Sequence, residues 1–137
     1  MIGFPAVVVH GRNDAGAALA PGLAVTLLSG PGAAGYAGCL WWRELVAQAR
    51  AAHPGVPVAA ILDCGDAPGR AMEALRVGQR ALVLDPACPA FATVRAIAAS
   101  EGAVVLDARP PALDLAARGA MRHLEAWLRG DRSATVR

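Results

Sequence analysis

Three apolar segments of the 137-residue chain end in the same dipeptide, Leu-Asp. They close at Asp63, Asp85 and Asp107, and consecutive aspartates are 22 residues apart. A short buried strand, a turn and a helix of about three turns occupy roughly that length. The repeat therefore predicts successive β-α units of a parallel sheet, with each aspartate at the carboxyl end of a strand. Ligands of open α/β sheets bind at that edge, so the repeat also predicts where a site would lie.

Two further apolar segments precede the repeat and are predicted to complete the sheet. Residues 6–9 lead to His10, and residues 24–28 lead to Ser29. Helices are expected between the strands, the longest over residues 39–53, because its apolar residues recur at three- and four-residue spacing. Strands that alternate with helices imply right-handed crossovers and a parallel sheet covered on both faces.

The predicted fold is therefore α/β: a three-layer sandwich with a five-stranded, mostly parallel sheet, flavodoxin-like or Rossmann-like. A piece of a β/α barrel is the alternative, since a β-α period of this length also suits barrels. Residues 1–130 are expected to form a single domain, and residues 131–137 a flexible polar tail. The last predicted helix carries four apolar residues on one face, namely Ala117, Met121, Leu124 and Trp127.

Composition narrows the classes of function. The net charge of +2 is too small to indicate a nucleic-acid partner, and no apolar run approaches the roughly 18 to 20 residues of a membrane span. The first residues have no basic stretch ahead of an apolar one, so no signal peptide is expected and the protein is predicted to be cytoplasmic. All 13 basic residues are arginine, which excludes a Schiff-base lysine and a P-loop lysine.

The cysteines indicate free thiols. Cys39, Cys64 and Cys88 are odd in number and widely spaced, which argues against a disulfide framework, and they form no CxxC pair that would suggest zinc. No metal site is predicted, and the sequence indicates no particular cofactor.

A glycine-rich turn follows the second predicted strand. Residues 30–35, Gly-Pro-Gly-Ala-Ala-Gly, match the GxGxxG pattern of dinucleotide-binding folds, and the next strand ends in an acid, Asp63. Pro31 removes an N–H that could hold phosphate, and Asp63 lies farther along the chain than the pattern's usual spacing of about 20 residues. Dinucleotide binding, binding of a phosphate or small anion, and a purely structural loop remain open. The leading hypothesis is a small anionic ligand bound at the carboxyl edge by Ser29, Gly30, Gly32, Gly35, Asp63 and Asp85.

The aspartates themselves have two interpretations. Asp66 lies two residues before Pro68, and Asp85 directly precedes Pro86. An acid just ahead of proline is typical of a helix start, where it caps free N–H groups, and the first interpretation of these aspartates is simple capping or turn formation. The alternative is a carboxylate cluster that binds Mg²⁺ or a polyhydroxylated ligand, or that includes one acid with a raised pKa.

His10 is the first catalytic candidate. Its strand ends in His10-Gly11, and a later strand is followed by Asp63-Cys64-Gly65-Asp66-Ala67-Pro68. These two segments resemble the mannose-type phosphotransferase IIA domains, flavodoxin-like phosphocarriers in which a His-Gly strand end supplies the phosphorylated histidine. In that family an aspartate that closes a later strand is followed by Gly-Gly-Ser-Pro; residues 65–68 here lack the serine and carry an extra acid. The resemblance implies phosphoryl transfer through His10.

Two other residues complete the catalytic candidates. Asp63 is one, and Cys64 could be a nucleophile with His10 as its base. Whether the protein is an enzyme stays open at this level.

Adjacent Trp41 and Trp42 indicate an interaction surface. The apolar face of the long predicted helix includes both, and core placement is expected for one of them. The other is expected to be partly exposed and to support a homodimer, which would make the protein a partner-binding domain without catalytic activity.

Overall fold

The computed structural model describes residues 3–131 as an alternation of strands and helices. The strands are β1 (Ala6–Val8), β2 (Val25–Leu28), β3 (Val58–Asp63), β4 (Ala81–Val83), β5 (Val104–Leu106) and β6 (Ala112–Asp114). The helices are α1 (Arg12–Leu19), α2 (Ala33–Tyr36), α3 (Cys39–Ala52), α4 (Pro68–Arg76), α5 (Phe91–Ser100) and α6 (Leu124–Leu128), with a 3₁₀ turn at Ala120–His123. Among these residues, no helix has the length and apolar character needed to cross a membrane.

The six strands form one sheet in the order β5-β4-β3-β2-β1-β6. β1 pairs in parallel with β2 and β6, and β4 pairs in parallel with β3 and β5. The predicted fold class, an α/β sandwich with a mostly parallel sheet, is confirmed. The predicted number of five strands was wrong, because β6 is a sixth. β6 has only three residues and follows directly after Pro110 and Pro111, so its apolar run is too short to stand out.

The strand order reverses at one place, beside β1. Strands β1 to β5 lie in chain order, and β6 pairs along the other side of β1. In flavodoxin-like sheets the reversal falls between the first and third strands, and in Rossmann-like sheets between the first and fourth. The connectivity of this sheet therefore differs from both. Since ligands of open α/β sheets bind at the carboxyl ends of the strands that flank a reversal, β1 and β6 mark the place to look for a site.

The end of the chain is less helical than its apolar pattern predicts. Gly119 has a φ of 76°, in the left-handed region that side-chain-bearing residues avoid, and it interrupts the predicted last helix. Leu124 and Trp127 are buried as expected, but Met121, which lies in the 3₁₀ turn, is 55% exposed. Residues 132–137 of the predicted tail lie outside the described residues.

The chain divides into two compact units. The first, here called the β1 unit, comprises the residues up to Leu28, Leu45–Ala60 and those from Pro110 onward. Its core includes Val7 and Leu27, both fully buried. Trp127 is 1% exposed, and its indole Nε1 donates a 2.7 Å hydrogen bond to the backbone oxygen of Ala6.

The second unit, here called the β4 unit, comprises Ser29–Glu44 and Ile61–Arg109. Fully buried residues of β3 and β4, including Leu62 and Leu82, form its core. Trp42 is also fully buried, but its indole Nε1 has no hydrogen-bond partner within residues 3–131. A buried donor without an acceptor costs about 1 to 3 kcal/mol.

The two buried tryptophans provide a matched test of this difference. We expect Trp127→Phe to lower the free energy of unfolding by about 1 to 3 kcal/mol more than Trp42→Phe. The first substitution removes a hydrogen bond, whereas the second removes a buried donor that has no partner within residues 3–131. Both substitutions remove the same volume, so the cavity contributions are similar. Urea unfolding followed by circular dichroism measures the two losses. Equal losses of unfolding free energy in the two variants would contradict the assignment of an indole hydrogen bond to Trp127 and not to Trp42.

Candidate functional site

His10 and Asp114 meet where the strand order reverses. His10 follows β1, and Asp114 is the last residue of β6, opposite Val8 in the parallel register. The Nε2 atom of His10 lies 2.8 Å from Oδ1 of Asp114, and the two side chains are 37% and 25% exposed. The structure thus forms a histidine–carboxylate pair at the predicted edge, within the β1 unit.

Further hydrogen bonds hold this pair in place. The backbone N–H of His10 donates to Oδ2 of Asp14, and Oδ1 of Asp114 also accepts the N–H of Ala116, both at 2.9 Å. An ionised carboxylate can only accept hydrogen bonds, so we assign the ring proton to Nε2. The lone pair then lies on Nδ1, which has no partner within the described part of the chain. The ring is therefore oriented, with one basic nitrogen available.

Asp63 serves a different purpose in the β4 unit. Asp63 is 4% exposed, and both of its carboxylate oxygens accept hydrogen bonds of 2.7 Å. Oδ1 accepts one from the backbone N–H of Gly65, and Oδ2 accepts one from Nη1–H of Arg109. The Arg109 side chain is 28% exposed. A buried carboxylate requires such compensation, since an unpaired one is strongly penalised. Asp63 thus anchors the chain after β5 to the end of β3.

Ser29 is also engaged internally. It is fully buried, its Oγ accepts the N–H of Asp63 at 2.9 Å, and its hydroxyl donates to the backbone oxygen of Gly30 at 3.1 Å. These bonds join the end of β2 to the end of β3. The Ser29 hydroxyl therefore has a partner within the protein both as a hydrogen-bond donor and as an acceptor.

The glycine turn packs against the turn after β3. Gly32 and Gly65 have φ angles of 66° and 59°, both left-handed, and a Cβ on Gly65 would lie 3.5 Å from Cα of Gly32. The N–H of Gly35 donates to the oxygen of Gly32 at 2.9 Å. The helix that follows Gly32 and includes Gly35, α2, has only four residues. A dinucleotide-binding turn instead opens a helix whose N-terminus receives the pyrophosphate.

Asp85 acts as a turn former. It is exposed, and its Oδ1 accepts the N–H of Ala87 at 2.9 Å, which makes a local turn. Asp85 does not cap a helix, because α5 begins only at Phe91 with Ala90 as its N-cap. Its own N–H donates to the oxygen of Gly65 at 2.8 Å, which connects it with the turn after β3. Ser29, Gly30, Gly32, Asp63 and Asp85 are thus all brought together in the β4 unit.

The thiols are poorly suited to nucleophilic chemistry. Burial raises the pKa of Cys64 to about 12, with smaller contributions from Cys39 and Asp63. Burial likewise raises the pKa of Cys39 to about 11, with a further contribution from Glu73. A nucleophilic cysteine needs a thiolate, and both groups are protonated near neutral pH. His10 is therefore the stronger catalytic candidate on physical grounds.

The long helix accounts for both tryptophans. Trp42 is fully buried and Trp41 is half-buried, with their ring centroids 5.9 Å apart. Core placement of one tryptophan and partial exposure of the other agree with the sequence-based expectation. Tyr36 and Leu40 are 70% and 59% exposed.

Sequence reasoning missed two residues of these sites. Asp114 belongs to a fourth Leu-Asp dipeptide, Leu113-Asp114, which a search for the dipeptide without its 22-residue period would have found. Arg109 carries no local signal, since its partner Asp63 is 46 residues away. Within residues 3–131, no three His, Cys, Asp or Glu side chains are placed to hold a metal ion.

Comparisons with known proteins add no functional assignment. No protein-family model matches the sequence, and the search of curated proteins finds no match.

The Asp63–Arg109 pair generates a stability prediction. We expect Arg109→Gln to lower the free energy of unfolding by about 2 to 3 kcal/mol, because it leaves the buried Asp63 carboxylate without its counter-charge. The exposed Arg70–Glu73 pair is the control, and Arg70→Gln should cost less than about 1 kcal/mol. Urea unfolding measures both variants. If Arg109→Gln costs no more than Arg70→Gln, Asp63 does not depend on this ion pair.

Proposed function

We propose that the protein binds a small phosphorylated ligand at the carboxyl ends of β1 and β6 and that His10 accepts its phosphoryl group. The observation that carries the proposal is the 2.8 Å contact between His10 Nε2 and Asp114 Oδ1. It orients the imidazole and leaves Nδ1 as the nucleophilic nitrogen. The position beside the reversal of strand order supports a ligand site there.

The proposed step uses only groups of this chain and the ligand. The Nδ1 lone pair forms a bond to phosphorus, the bond from phosphorus to its leaving oxygen breaks, and that oxygen retains the electron pair. The proton on Nε2 stays in the hydrogen bond to Asp114. The carboxylate then stabilises the positive charge that the ring gains, as a carboxylate does for a catalytic imidazolium.

The backbone beside the ring is open. Gly11 follows His10, and a Cβ at that position would meet no heavy atom within 4 Å. A ligand could therefore approach without displacing protein atoms there. The resemblance to the mannose-type IIA domains adds support through the His10-Gly11 strand end, although here the carboxylate is supplied by Asp114 and not by Asp63.

A second candidate function is binding of a small anion in the β4 unit, with Arg109 as its anchor. Arg109 has one N–H group committed to Asp63, and its other donors have no partner within residues 3–131. A guanidinium held in this way can still donate two parallel hydrogen bonds to a carboxylate or phosphate. Gly30, Gly32 and Gly35 of the glycine turn complete this candidate site.

The negative charge around Arg109 limits this second candidate. Asp63 neutralises the guanidinium, and Asp85 adds a carboxylate in the same unit. Attraction of the anion must therefore come from directed hydrogen bonds more than from net charge. For this reason, we rank anion binding in the β4 unit below phosphoryl transfer to His10.

Phosphorylation of the purified protein tests the first proposal. We expect incubation with phosphoenolpyruvate and a phosphocarrier protein, or with acetyl phosphate, to add one acid-labile phosphoryl group. Labelling should be absent in His10→Ala and slower by at least about 10-fold in Asp114→Asn, since loss of the carboxylate that orients a histidine costs about 10-fold to 10⁴-fold. Mass spectrometry of the intact protein and its peptides measures the label.

His123→Gln is the matched control for this experiment. His123 is an exposed histidine of the same unit with no role in the proposed transfer, so its removal should leave the label unchanged. An unlabelled wild-type protein, or a label that persists in His10→Ala, would reject phosphoryl transfer through His10.

Thermal unfolding in the presence of small anions tests the second candidate. We expect phosphate, pyrophosphate, a sugar phosphate or a dicarboxylate to raise the melting temperature by several degrees, since a ligand at about 100 times its Kd stabilises by about 2.7 kcal/mol. Arg109→Gln should lose this increase, and Arg70→Gln should retain it. The same increase in Arg109→Gln would exclude Arg109 as the anchor.

A further inference from the structure

A cleft of about 210 Å³ lies between α1 and the last two turns of α3, within the β1 unit. It exists because the helices face each other there through small residues: Ala15 and Gly16 of α1, and Ala49 and Ala52 of α3. Their side chains are too short to fill the space between two helix backbones. Leu45 supplies the one large apolar side chain of the lining.

The polar residues of the cleft all offer hydrogen-bond donors. Arg12 and Asn13 contribute from α1, Gln48 from α3, and His53 from the position directly after α3. Their side chains make no hydrogen bond or ion pair within residues 3–131, and no carboxylate lines the cleft. The lining therefore carries positive charge from Arg12 without an internal counter-charge.

We infer that this cleft binds a short aliphatic carboxylate. The Arg12 guanidinium matches the two oxygens of a carboxylate, and the amides and the imidazole can donate further hydrogen bonds. Leu45 and the alanine methyl groups offer an apolar wall to the hydrocarbon part of the ligand. Inorganic phosphate has no such part and would leave that wall exposed to water.

The size of the cleft limits the ligand. Pockets for drug-sized molecules measure about 300 to 1,000 Å³, so this cleft suits a molecule of only a few carbon atoms. The cleft involves neither His10 nor Arg109. Carboxylate binding in the cleft is therefore a function beyond those proposed above, and it can be tested independently of them.

Titration of the ¹⁵N-labelled full chain with butyrate, succinate and inorganic phosphate tests the inference by NMR. We expect butyrate or succinate to shift the amide signals of the first turn of α1 and the last two turns of α3 at concentrations up to about 50 mM, well above a Kd near 1 mM. Phosphate should bind more weakly than either acid. No shift in these segments, or tighter binding of phosphate, would overturn the inference.

Three variants locate the ligand. Arg12→Gln should weaken binding about 10-fold or more, because a hydrogen bond to a charged group is lost. Ala52→Leu should also weaken binding, since it fills the cleft from an exposed position without changing charge. Arg118→Gln removes an exposed arginine of the same unit outside the cleft and should leave binding unchanged. Unaltered binding in both Arg12→Gln and Ala52→Leu would also overturn the inference.

Discussion

The parallel pairing of β6 with β1 is the constraint on which the β1 unit depends. It places hydrogen-bonded strands on both sides of β1 and creates the one reversal of strand order. The same register brings Asp114 to the carboxyl end of β1, where it reaches the ring of His10. Without β6, His10 would follow an edge strand and lack its carboxylate. The same strand pairing therefore produces both the reversal of strand order and the histidine–carboxylate pair.

In the β4 unit, a buried charge has the corresponding role. Asp63 ends β3 in a position with almost no solvent, and its two oxygens are satisfied by Gly65 and Arg109. The pair anchors the chain beyond β5 to the end of β3. Breaking a buried ion pair costs more free energy than an exposed ion pair contributes. The Asp63–Arg109 pair therefore favours the observed position of the chain after β5.

The regular part of the fold could be predicted from the sequence, and the long-range part could not. The period of Leu62-Asp63 and its two successors located β3, β4 and β5, because each repeat buries one apolar strand. β6 escaped because three residues after two prolines show no periodicity. The contacts of Asp63 with Arg109 and of His10 with Asp114 join residues 46 and 104 positions apart, which only the folded chain brings together.

The Leu-Asp dipeptide shows why a repeated sequence pattern does not fix the chemical role of its residues. All four leucines lie in a strand or directly after one, but the roles of Asp63, Asp85 and Asp114 depend on the groups that they contact. At Asp85 a neighbouring backbone N–H makes it a turn former; at Asp63 burial and Arg109 make it half of an ion pair. At Asp114 an imidazole makes it an orienting carboxylate. Of these three arrangements, only the last leaves a reactive atom, Nδ1 of His10, without a partner among the described residues. The proposed phosphoryl transfer therefore depends on Asp114, the Leu-Asp aspartate that falls outside the 22-residue period.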